Sequence, residues 1–156
     1  MSETRQSSQD DVIAAGRQER RDTKLAKKRD TTLLPSGAAP RVLLVEDDPD
    51  VTDALAALMR AWGYEIYTVD NGPAALQAIA TFRPDVVVSD IGLPGGMDGC
   101  EVGRQLRGRV ELLIALSGGG SESRQQAFAA GFDYFLAKPC NFGDLRRLLG
   151  TVAALH

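Results

Sequence analysis

Histidine is almost missing from this chain and cysteine is scarce. The one histidine, His156, is the last residue, so no His-based triad or His-ligated metal cluster is expected. Cys100 and Cys140 stand 40 positions apart with no CxxC. That pattern is neither a disulfide framework nor a zinc site, and it points to a reducing, cytoplasmic compartment. No apolar run approaches the ~18 residues that cross a bilayer, so no membrane segment is expected. The opening MSETRQSSQDD has no apolar core of a secretory signal. What is present is ordinary for a soluble domain: 156 residues, 44% hydrophobic and 25% charged, enough for one domain and little more.

Charge divides the chain near Pro40. Residues 1–40 hold 8 Lys/Arg and 6 Asp/Glu, a net of +2, whereas residues 41–156 hold 10 and 15, a net of −5. The first segment has scattered apolar residues and ends in LLPSGAAP, a linker signal. It reads as a flexible charged extension that buries too little surface to order itself. A transient helix over Asp11–Asp30 would carry Arg17, Arg20, Arg21, Lys24, Lys27 and Lys28 along one side. Glu19 and Asp22 interrupt that stripe and no aromatic lies in it to stack on bases, so a solvated tail is the expected reading. The expected domains are thus 1–40, the extension, and 41–156, the folded unit. No nucleic-acid-binding domain is expected.

After Pro40 two periodicities alternate. Val42–Val45 is too short for a helix and reads as a buried parallel strand. Asp48-Pro49 then offers an N-cap and a first-turn proline. Val51, Ala54, Leu55, Leu58, Met59 and Trp62 mark one helical face, stopped at Gly63. Further strands are expected at Tyr64–Val69, Val86–Ser89, Leu112–Leu116 and Tyr134–Ala137. Helices are expected after Asn71, around Cys100–Leu106, over Ser121–Ala130 and after Asn141, the last with Phe142, Leu145, Leu148, Leu149, Val152 and Leu155 inward. Five βα units predict an α/β fold with a parallel sheet covered on both faces. The expected architecture is the flavodoxin-like, doubly wound (βα)5 with strand order 2-1-3-4-5, whose ligands sit beyond the carboxyl ends of the strands.

Those strand ends carry the chemistry. The first strand runs into Glu46-Asp47-Asp48, the third into Asp90, the fourth into Ser117, and the fifth is followed by Lys138-Pro139. Taken singly, each reads as a cap, a turn acid or a surface lysine. Together they bring carboxylates, a hydroxyl and an ammonium to one sheet edge. Neighbouring carboxylates repel, so such a set calls for a proton or a divalent cation. An all-oxygen site suits Mg²⁺ or Mn²⁺. A carboxylate beside a cation, a lysine and a hydroxyl is an arrangement for phosphoryl transfer and acyl-phosphate formation.

The segments VLLVEDDPD, VVVSDIGLP, MDG, ALS and Lys138-Pro139 together resemble the receiver domain of bacterial two-component response regulators, over Arg41 to about Leu155. The resemblance implies that Asp90 is the phosphoacceptor, with Lys138 and Ser117 assisting. It implies that Glu46, Asp47, Asp90 and the backbone carbonyl of Gly92 hold Mg²⁺. It implies further that Pro139 is a cis-proline and that Ser117 and Phe135 are switch residues. The implied donor is a histidine kinase or a histidine phosphotransfer protein. The implied partner face is the fourth helix, fifth strand and fifth helix, open to an unknown output protein or to a phosphorylation-linked homodimer. No separate enzymatic activity is implied beyond the domain's own phosphorylation and dephosphorylation.

Two departures stand out. The loop GLPGGMDG is one residue longer than the common form, and Ser117 is followed by Gly118-Gly119-Gly120. Three glycines should loosen the segment that closes on the phosphoryl group, and Gly119→Ala should shift it toward order, provided the backbone angle there is not positive. Two rivals remain: a receiver-like scaffold that is not phosphorylated, and an aspartyl-phosphate phosphohydrolase. The latter wants a second acid two residues after the nucleophile, where this chain has Gly92.

Overall fold

The computed structural model describes residues 39–153. β1 (Arg41–Val45), α1 (Pro49–Ala61), β2 (Glu65–Val69), α2 (Gly72–Phe82), β3 (Val86–Asp90), α3 (Gly99–Leu106), β4 (Leu112–Ser117), α4 (Ser121–Ala130), β5 (Tyr134–Ala137) and α5 (Phe142–Ala153) alternate throughout. The sheet is parallel, in the expected order β2-β1-β3-β4-β5. The expected extension, its helix over Asp11–Asp30 and its basic stripe lie outside the described residues, as do Leu155 and His156.

The helix starts follow from local chemistry. Asp48 accepts hydrogen bonds from the backbone N–H groups of Asp50 and Val51, with Pro49 in the first turn. Asn71, Asp98 and Asn141 cap α2, α3 and α5 in the same way, accepting from Ala74, Glu101 and Asp144 at 2.8, 2.9 and 3.0 Å. These caps satisfy N–H groups that have no partner within the helix. Gly63 ends α1 at φ +100° and Gly131 ends α4 at φ +115°, left-handed conformations open to glycine at little cost.

Period-two alternation splits the core into two layers. Val42, Leu44, Val86, Val88, Ile114, Leu116, Tyr134 and Leu136 face α1 and α5. Leu43, Val45, Val87, Leu113, Ala115 and Phe135 face α2, α3 and α4. Two expected inward residues are corrected. Phe142 is 51% exposed: it is the first residue of α5, and burial in that helix begins only at Leu145. Ala54 is exposed while Ala56 is buried. Alanine is too short to mark a face, and the sheet sets the rotation of α1 through Leu55 and Met59.

Candidate functional site at the carboxyl ends of the strands

Register and alternation assemble the site before any side chain is considered. Val45 pairs with Ser89, so the next residues, Glu46 and Asp90, end adjacent strands roughly 4.8 Å apart. Continued beyond the strands, the alternation assigns Glu46, Asp90 and Lys138 to the α1/α5 side. Ser117 and Phe135 fall on the α4 side. Carboxylate oxygens of Glu46, Asp47 and Asp90 all lie within 4.8 Å of one another. Glu46 is 2% exposed and Asp90 6%, whereas Asp47 is exposed.

Lys138 is the counter-charge. Its Nζ donates to both Glu46 oxygens at 3.0 and 3.1 Å and lies 3.3 Å from Asp90 Oδ2. Pro139 follows through a cis peptide bond, as expected. The other Asp90 oxygen accepts the N–H of Gly92 at 3.1 Å. Burial raises the Glu46 pKa, and the charges of Asp90 and Asp47 add to this against the pull of Lys138. For Lys138, burial acts to lower the pKa, but the hydrogen bond to Glu46 and the charges of Asp90 and Glu46 outweigh it and raise the value. The cluster keeps an excess of negative charge, and its all-oxygen donor set fits a hard divalent cation.

A cleft of about 510 Å³ opens beside the acids, lined by Glu46, Asp47, Thr52, Asp53 and Asp70 among others. Ser117 is buried, and its Oγ accepts the N–H of Gly119 at 3.0 Å. Phe135 is 4% exposed, within the α2–α3–α4 layer.

The structure corrects the expectation for Gly119. A Cβ there would overlap the Ser123 side chain, so alanine would displace Ser123 rather than simply order the loop. Gly118 and Gly120 face open space. Gly99 had no assigned role, although it stands in MDG. A Cβ there would overlap the carbonyl of Asp90 and the backbone of Ile91, so only glycine lets α3 start against the end of β3. Thr52 also went unmarked; its hydroxyl donates to the carbonyls of Glu46 and Asp48 at 3.2 and 2.9 Å and braces the acidic loop.

Comparison with known proteins decides the family. The response regulator receiver domain model matches residues 42–150. The chain belongs to the receiver family. Among curated relatives of this receiver, the transcriptional regulatory protein KdpE of Mycobacterium tuberculosis is 35% identical over 114 residues, 71% of this chain and 50% of the relative. The response regulator MprA of the same species is 36% identical over 118 residues, 74% of this chain and 50% of the relative. The receiver thus spans about half the length of the curated relatives it matches. Among solved structures, a response regulator from Chloroflexus aurantiacus superposes with a TM-score of 0.69 at 29% identity, covering 75% of this chain and 99% of that one. The receiver domain of the sensor histidine kinase PA1611 from Pseudomonas aeruginosa, described with a magnesium ion coordinated in its active site cleft, superposes at 0.65 with 32% identity, covering 72% and 95%. The family places the domain in two-component signalling. No described helix of this receiver is long and apolar enough to cross a membrane.

Proposed function

We propose that the domain is a phosphorylation-controlled switch in which Asp90 takes a phosphoryl group from a partner's phosphohistidine. The observation that carries this reading is the placing of Asp90. It sits at the open end of the sheet, flanked by Lys138 Nζ at 3.3 Å and the Gly92 N–H at 3.1 Å, with two further acids beside it. Glu46, Asp47 and Asp90, with the Gly92 carbonyl, are the proposed holders of Mg²⁺ or Mn²⁺. Bound there, the cation supplies charge neutralisation for phosphoryl oxygens.

The chain's own residues do the rest. An Asp90 carboxylate oxygen forms the bond to phosphorus as the phosphorus–nitrogen bond to the donor imidazole breaks, and the donor ring, protonated on its other nitrogen, leaves as neutral imidazole. Lys138 neutralises charge on the incoming group, which is the larger part of phosphoryl-transfer catalysis. The Ser117 hydroxyl, an acceptor from Gly119 in the unmodified protein, keeps its own proton free to donate to a phosphoryl oxygen. Ordering of the Ser117 loop on the phosphoryl group, with the already buried Phe135 ring kept packed behind it, then changes the face formed by α4, β5 and α5. That face is proposed to meet the output partner, or a second copy of the chain. A ligand or modification shifts such an equilibrium only by its differential affinity for the two states.

The test is intact mass after incubation with acetyl phosphate and Mg²⁺. The wild type should gain one phosphoryl group, labile to hydroxylamine and dependent on the cation, and Asp90→Asn should gain none. The same gain in Asp90→Asn would falsify the assignment, and no gain in the wild type would leave the scaffold reading.

A further inference from the structure

Arg124 lies in the first turn of α4, and its two ends touch parts of the domain that the sequence keeps apart. Its backbone N–H bonds to the carbonyl of Gly120 at 3.2 Å, the last of the three glycines behind Ser117. Its guanidinium lies 5.6 Å from the centroid of the Phe135 ring on β5, within the range where a cation is drawn to an aromatic face. Among the described residues the guanidinium makes no ion pair and no hydrogen bond, so the ring is its one specific contact.

Elsewhere α4 is tied mainly at its last turn, where Arg107 Nη2 donates to the Ala129 carbonyl at 2.7 Å. Its only buried residues are Ala127 and Ala130, and no side chain caps its start at Gly120. Phe128 adds a half-buried contact. Two alanines bury little apolar area, so the first turn owes much of its position to Arg124 over Phe135. Two other arginines also stack on rings, Arg41 on Phe82 and Arg146 on Trp62. Those rings are only half-buried. Among the described residues Phe135 is the one ring under an arginine that belongs to the core, at 4% exposure, and Arg124 covers it from the α4 side.

We propose that Arg124 is a positioning residue that holds the Phe135 ring inward in the unmodified protein and transmits movement of the Ser117 loop to that ring. The first half stands on the geometry alone. The second half rests on the switch reading above. Because the loop's last carbonyl and the ring's cover meet in one residue, closing the loop shifts the first turn of α4 and the guanidinium with it.

The test places 4-fluorophenylalanine at position 135 and compares wild type with Arg124→Ala, Arg124→Gln and Arg124→Lys by fluorine NMR. In the wild type the signal should show almost no solvent isotope shift between H₂O and D₂O. Arg124→Ala should show a clear shift. Arg124→Gln should match Arg124→Ala, because length without charge does not restore the contact. Arg124→Lys should fall between, keeping the charge and losing the broad guanidinium contact with the ring.

A second arm titrates Mg²⁺ with beryllofluoride. Apparent affinity in Arg124→Ala should fall about three- to tenfold, since the inward state is less populated. A ring equally shielded in Arg124→Ala, or Arg124→Gln behaving as wild type, overturns the holding role. A changed ring with unchanged beryllofluoride affinity overturns the coupling. Failure of the wild type itself to bind beryllofluoride sinks the switch reading and the coupling with it, while the first arm still decides the holding role.

Discussion

The two ends of the sheet use the same residue type in opposite ways. At the amino-terminal end, Asp85 and Asp133 stand just before β3 and β5. Asp85 accepts the Arg41 N–H through its carboxylate and donates its own N–H to the Arg41 carbonyl, both at 2.8 Å. Asp133 makes the same reciprocal pair with Leu113, also at 2.8 Å, while 4% exposed. At the carboxyl-terminal end, Glu46, Asp47 and Asp90 face one another, and Glu46 and Asp90 share the one ammonium of Lys138. Strand starts offer N–H groups that a carboxylate can take up. Strand ends offer carbonyls, which leave the acids there dependent on a cation. One end therefore stitches neighbouring strands together. The other stores unrelieved repulsion that binding can relieve.

The contrast breaks most sharply at Asp47. Asp47→Ala removes one of three acids without touching either stitched aspartate, and Mg²⁺ affinity should fall roughly a hundredfold, about 2.8 kcal/mol, read by calorimetry. Wild-type-like titration would show that Asp47 is not part of the cation site. The converse change is Asp133→Ala, which leaves the buried Leu113 N–H without its carboxylate. Urea unfolding should show a loss of about 1–3 kcal/mol, with acetyl phosphate labelling retained; unchanged stability would remove the stitching role.

Glu46 sharpens the comparison through pH. Its raised folded pKa means the native state holds this proton longer than the unfolded chain does, so its ionisation costs stability. That cost is absent below its ordinary value of 4.5 and sets in as pH rises through the folded pKa. Glu46→Gln in metal-free protein should therefore melt higher at pH 7, and the gain should vanish near pH 4. A gain independent of pH would place its origin elsewhere. The smallest effect concerns the glycines behind Ser117. Gly118→Ala, in open space, should stabilise by about 0.5 kcal/mol. Gly119→Ala, driven into Ser123, should melt lower than wild type. Equal shifts at the two positions would mean that Ser123 yields freely.

Much of this was legible in the sequence. Five short apolar runs, Asp48-Pro49, Asn71 and Asn141 as caps, and Gly63 and Gly131 as stops mark their elements because each acts locally. Acids, hydroxyl and lysine at four strand ends were legible once the strands were. Phe142 fits the helical period of α5 and is nevertheless exposed, because period alone does not say where along the helix burial begins. Asp133 and Asp85 resemble any turn acid until the strand beside them is known.

The sequence by itself determined the order of elements, the direction of the sheet and the edge on which the charged groups meet. Those depend on residue spacing and on the handedness of crossovers, which any chain of this pattern shares. Tertiary structure decided which acids are relieved and which are not. It also decided that Lys138 pairs most closely with Glu46 and that Gly99 must lack a side chain beneath α3. The position of Arg124 over Phe135 was settled there too. These are matters of ångström distances between residues remote in the chain, and only packing of the helices on the sheet fixes them.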